Sequence, residues 1–137
     1  MKKSIIILAT LFLSCNGGEN QKLEILQDEV MAIHDEVMPK MGEIMSLKEQ
    51  LNTSLAAIDS TKANYGAIKV ASDSLTNLLT EADNNMMDWM DEYNADTLKA
   101  ISVEDGIKYL MEEKSKIGAV KELTNKNIDA VKQYLKK

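Results

Sequence analysis

The chain has 137 residues and a net charge of −6, and all 16 of its basic residues are lysine. An acidic chain without arginine forks repels a phosphate backbone, so nucleic acid is excluded as the expected partner. Aromatic residues make up only 4% and cysteine occurs once, which excludes an intrachain disulfide scaffold and favours a helical bundle over a β-sandwich.

The chain opens MKKSIIILATLFLSC. Lys2 and Lys3 form a positive n-region, and Ile5 to Leu13 form an apolar run too short to span a bilayer. Ser14 then precedes Cys15, the only cysteine. This resembles a bacterial lipoprotein signal: residues 1–14 are expected to be removed and Cys15 lipidated. Phe12 departs from the leucine usual three residues before the cysteine, although Leu11 and Leu13 flank it. Residues 15–20, with Gly17 and Gly18, are read as the lipidated cysteine and a flexible tether to the membrane. Asn16 follows the cysteine where an aspartate would redirect sorting, so the resemblance points to an outer-membrane anchor with the domain facing the periplasm.

Residues 21–137 read as one helical domain. Leu23, Leu26, Val30, Ile33 and Val37 keep a 3–4 spacing that resumes through Met41, Ile44, Leu47, Leu51, Leu55 and Ile58. Helix one is therefore expected from Gln21 to about Ile58, kinked at Pro39. Beside its seam, Met31, His34, Met38, Met41 and Met45 draw a second stripe. Asp59-Ser60-Thr61 is the first turn signal, with Ser60 the expected cap of helix two. Helix two runs to about Tyr93 on a seam that includes Leu75, Leu79, Ala82, Met86, Trp89 and Tyr93. After Asn94-Ala95-Asp96, Ser102 with Asp105 three residues on reads as an N-cap close to a capping box. Helix three carries Val103, Ile107, Leu110, Ile117, Thr124, Ile128, Val131 and Leu135, with Lys114 and Lys121 occupying two seam slots. The expected fold is all-α: an elongated, coiled-coil-like antiparallel three-helix bundle.

Folding back at residue 60 sets positions 31–38 opposite about 82–89, and a second turn near 97 sets 107–111 opposite about 83–87. Met86, Met87, Trp89, Met90 and Met111 are thereby expected in one layer with His34. One reading of this layer is a Cu(I) site, since thioethers and imidazole suit that soft ion, with His34, Met31, Met38, Met41, Met86 and Met90 as candidate ligands. The other is core packing, because methionine fills irregular gaps. A groove for an apolar or helical partner is a third. Asp88, Asp91 and Glu92 load acids onto a helix C-terminus, which reads either as a partner surface or as a solvated face complementing the lysines of helix three. The chain lacks a glycine-rich phosphate loop, an H-E-x-x-H motif and a G-x-S-x-G motif, and it has one histidine. It is read as non-enzymatic.

The segment EVMAIHDEVMPKMGEIMSLKEQL (Glu29 to Leu51), together with MMDWMDEY (Met86 to Tyr93), resembles a family of small helical lipoproteins of Bacteroidota, sometimes labelled "viral A-type inclusion protein". The resemblance implies an all-helical fold and an envelope location, and it assigns no catalytic or binding residue. The sequence thus leads to a lipid-anchored envelope protein that works by contact with another envelope protein or with itself, or alternatively to a copper-binding lipoprotein.

Overall fold

A computed structural model describes residues 16–136, so Cys15 and the segment before it lie outside the described residues. Four helices follow in order: α1 (Asn16–Ala56), α2 (Tyr65–Glu92), a single turn α3 (Thr97–Ala100) and α4 (Val103–Leu135). The three long helices form an up-down-up bundle. At 1.5 Å per residue, the 41 residues of α1 extend over about 60 Å.

α1 is continuous through Pro39, whose side chain is exposed. The carbonyl of Asp35 that loses its donor there belongs to an exposed residue, so water can supply the missing partner. The segment expected as a tether is helical from Asn16, which corrects the boundary drawn at residue 21. Glu19 suits the positive end of the helix dipole, and the long apolar seam behind it carries the helix outward past Gly17 and Gly18.

The core is a set of interlocking 3–4 seams. α1 buries Leu26, Val30, Val37, Ile44, Leu47 and Leu51, and α2 buries Ser72, Leu79, Ala82, Met86 and Trp89. Two apolar clusters result, one around Val37, Met86, Trp89 and Ile117, the other around Ile44, Leu51, Leu79 and Val131. Met41 packs against both. The seam of α4 differs from the expected one. It buries Leu110, Ile117, Thr124, Ile128 and Val131 as expected, but also Gly106, Glu113 and Asn127, which are polar or lack a side chain. Lys114 and Lys121 stand one residue outside that seam, where they meet α1.

There they form a ladder. Lys114 Nζ donates to Glu29 at 2.9 Å and Lys121 Nζ to Glu36 at 2.6 Å, while Lys40 donates to Asn125; each pair is separated by 85 residues. A constant difference in residue number is the signature of parallel helices, so α1 and α4 run the same way and α2 runs against both. Lys132 adds a rung to Glu43. Such exposed rungs contribute little each and act mainly on orientation.

The two connections are longer than expected. Ser60 does not cap α2, which starts five residues later behind Asn64 without a side-chain cap. Asp59 folds the loop instead, accepting from the backbone and hydroxyl of Thr61 at 2.9 and 2.8 Å. At the other end Ser102 caps α4, with its Oγ accepting from Asp105 N at 3.1 Å. The intervening turn of α3 lengthens the path and moves the register of α4. Tyr109 lies beside Tyr93, where 83–87 had been expected.

Gly118 and Gly42 have open space where a Cβ would stand, whereas a Cβ on Gly106 would lie 2.5 Å from Leu23 Cδ1. Gly118→Ala is expected to raise stability by about 0.5–1 kcal/mol in thermal or urea unfolding. Gly106→Ala should gain less or lose, because Leu23 must move.

The hydrogen bond from Lys121 holds the Glu36 carboxyl below its ordinary 4.5. A carboxylate depressed in the folded state stabilises it above the unfolded value, and that contribution is lost as pH falls through the folded one. Melting temperature is expected to drop with acidification below about pH 4.5, and Glu36→Gln should make that drop shallower.

Candidate functional site

Two cross-helix contacts pin α1 against α2. The rings of His34 and Trp89 lie 5.8 Å apart between centroids, and Lys48 Nζ lies 3.7 Å from Asp83. Between these two ties α1 presents Met38, Met41 and Met45, and α2 presents Met86, Met87 and Met90. With the seam of α1 at Val30, Val37 and Ile44, His34 and Met41 follow it by four residues, and Met38 and Met45 by one. Those positions are neighbours on one flank of the helix. On α2, with its seam at Leu79 and Met86, Asp83 and Met90 follow by four and Met87 by one. The Lys48–Asp83 contact joins the four-residue flanks of the two helices. The His34–Trp89 contact sets Met90, the residue after Trp89, level with the turn of α1 that holds His34.

The candidate ligands therefore separate. Met86 is a seam residue with no exposed surface and belongs to the core. Met41 and Met31 are half-buried, Met31 one turn beyond His34 and away from the tie to Asp83. Met38 and Met90 are 37% and 38% exposed, and Met45 and Met87 more so. Met111 does not join them. The shifted register puts it in a separate open groove of about 430 Å³ between α1 and α4, with Leu26, Lys22, Lys114 and Ser115.

His34 is half-buried. Its Nδ1 lies 2.9 Å from Asp35 Oδ1. With the proton on Nδ1, donated to that carboxylate, the Nε2 lone pair is left for another partner.

Beyond His34 an aromatic row continues toward the α2–α4 connection. Trp89 stacks on Tyr93 at 5.0 Å, and Tyr93 on Tyr109 at 6.2 Å. The Tyr109 hydroxyl accepts from the backbone N–H of Asn94 at 3.0 Å, which ties the start of the connection to α4. Glu113 is buried beside this row. One of its oxygens takes Lys116 at 2.9 Å; the other is buried without a hydrogen-bond partner among the described residues, as are Trp89 Nε1 and the Tyr93 hydroxyl. Burial, and secondarily the charges of Tyr109 and Glu113, push the Tyr93 hydroxyl pKa up. Glu113 was not singled out from sequence, because the α4 seam was placed one residue late at alternate slots. The spacing of Gly106 to Glu113, a full heptad, is the signal that finds it.

Asp88, Asp91 and Glu92 are exposed on the outside of α2. Glu92 comes within 3.9 Å of Lys116, so this end of the acidic face meets the lysines of α4. Among the described residues no group of three His, Cys, Asp or Glu side chains converges as a metal site would, so an ion held here would draw most of its donors from thioethers. No family model, curated protein or solved structure matches the chain.

Tyr93→Phe removes a buried hydroxyl that has no partner, so its expected cost at neutral pH is close to zero, with a gain of up to about 1 kcal/mol. Because the raised pKa penalises the phenolate in the folded state, the wild type should lose stability above about pH 10, and the variant should lose less. Urea unfolding at pH 7 and pH 10.5 checks both.

Proposed function

We propose that this chain is a lipid-anchored protein of the bacterial cell envelope, held to the outer membrane through Cys15 and facing the periplasm, and that it works by protein–protein contact rather than catalysis. The signal-like opening of the sequence and its resemblance to small helical lipoproteins of Bacteroidota support the anchor. The observation that carries the contact reading is the apolar surface left outside a bundle whose core is already filled. At the end where α1 and α4 begin, Ile25 is 51% and Met111 56% exposed, the latter beside the buried Leu26 in an open groove. Exposed apolar side chains beside an open groove mark interaction sites, and methionine adapts to varied partners.

Lys22 and Lys114 line the same groove, which favours a partner segment with an apolar face and acidic flanks. The acidic outer face at Asp88, Asp91 and Glu92 offers a second surface for a basic partner. Another envelope protein or a second copy of the chain would each meet these requirements.

A photo-crosslinking residue at position 25, used in intact cells, is expected to give a discrete protein adduct that Met111→Glu reduces severalfold. Cys15→Ser should move the chain out of the washed outer-membrane fraction. Crosslinks to lipid alone would count against the contact reading, and unchanged fractionation of Cys15→Ser would count against the anchor.

A further inference from the structure

The geometry points to a soft-metal site in the α1/α2 groove: a single Cu(I) ion, for which Ag(I) is an analogue, bound by His34 Nε2 and the thioethers of Met38 and Met90. This inference is independent of the groove at Met111.

The first argument is where methionine occurs. Among the described residues, five of the eight exposed large apolar side chains are methionine, against one of the fourteen buried apolar residues. Methionine used as a gap-filler would show the opposite distribution, since a core position supplies the packing contacts and water does not. Met86 behaves as filler, as does the half-buried Met41, which packs against both clusters.

The second argument is convergence. His34 and Met38 stand four residues apart on α1, so their side chains project from adjacent turns. The contact of His34 with Trp89 brings the next residue of α2, Met90, to the same level from across the groove. Imidazole nitrogen and thioether sulfur are donors that a soft monovalent ion prefers and that hard cations bind poorly.

The third argument is the surroundings of His34. Its Nδ1 is held by Asp35 at 2.9 Å, the arrangement that fixes tautomer and ring direction in histidines that bind metal through the other nitrogen. Trp89, largely buried and 5.8 Å away between ring centroids, packs on the imidazole and holds it at this end of the groove. The carboxylate also supplies a negative charge beside an otherwise neutral donor set.

The test uses the full chain in detergent with Cys15→Ser, so that the thiol does not compete, under anaerobic conditions. Cu(I) is supplied as its complex with a chromogenic chelator. The expected result is transfer of one equivalent to the protein, accompanied by quenching of Trp89, the only tryptophan. Met38→Leu with Met90→Leu, which conserves volume and so preserves the fold, should weaken transfer at least tenfold. His34→Gln should do the same, and Met111→Leu should leave it unchanged. In a chain carrying ¹³C-labelled methionine methyl groups, Ag(I) should shift the resonances of Met38 and Met90 and spare Met86 and Met111. The proposal is overturned if the chelator retains the copper, if the double leucine variant binds as wild type does, or if Ag(I) perturbs all methionines alike.

Discussion

The bundle rests on α1 and α4 running parallel. Two helices that point the same way cannot be joined by a short turn, because the chain must first travel the length of the bundle and come back. α2 makes that return, and its 28 residues cover about 42 Å of it. Most of the packing of α1 is against α4, and α2 lies along both. Ion pairs from α1 to α4 guard one groove at Glu29, Glu36 and Glu43. The α1/α2 groove has one such pair, at Lys48, and is otherwise lined by methionine along its middle. The two grooves flanking α1 therefore differ in chemistry, one bridged by repeated ion pairs beyond the opening at Met111, the other flanked by methionine and tied by a single pair.

That difference follows from which residues flank each seam. A bundle core of leucine, isoleucine and valine is complete without the exposed methionines, so their side chains are free to serve something besides folding. His34 and Trp89 sit where the open groove meets the aromatic row, and the row leads on to the connection that α3 lengthens. Between them the bundle has a rigid end, stacked and capped by Ser102, next to a stretch held by few cross-helix ties. Contact with partners and capture of a soft ion would both use surface that the fold itself does not need.

The heptads of α1 and α2 were legible because their apolar residues are dense and regular, and Ser102 was legible because a cap depends on two residues a few positions apart. Methionine was partly legible. Its stripe on α1 was visible, but whether Met86 or Met38 faces the core depends on a phase of one residue against the seam. The seam of α4 was harder for a physical reason. Its inner slots include Gly106, Glu113 and Asn127, which carry no apolar signal, while apolar Ile107 and Leu135 flank them and draw the pattern sideways. The connections were misread because turn residues show where a helix can stop without showing where the next one starts. Asp59 rather than Ser60 organises the first loop, and α3 adds a turn that no periodicity announces. Once the second connection lengthens, every cross-helix neighbour of α4 moves with it, which is why Met111 left the layer assigned to it.

Asn127 has a consequence of another kind. It is buried, and its amide donates to the carbonyl of Leu78 at 2.7 Å. The Glu29–Lys114 and Glu36–Lys121 rungs are seven residues apart on both helices, so a slide of α4 by one heptad would set Lys121 opposite Glu29 in place of Lys114. Leucine and isoleucine seams are almost as indifferent to such a slide. The amide is more particular, because a slide takes Asn127 off the Leu78 carbonyl, and a buried amide must then meet another acceptor in good geometry or stay unpaired. Alignment of three long, repetitive rods thus depends on a group that interrupts the repetition.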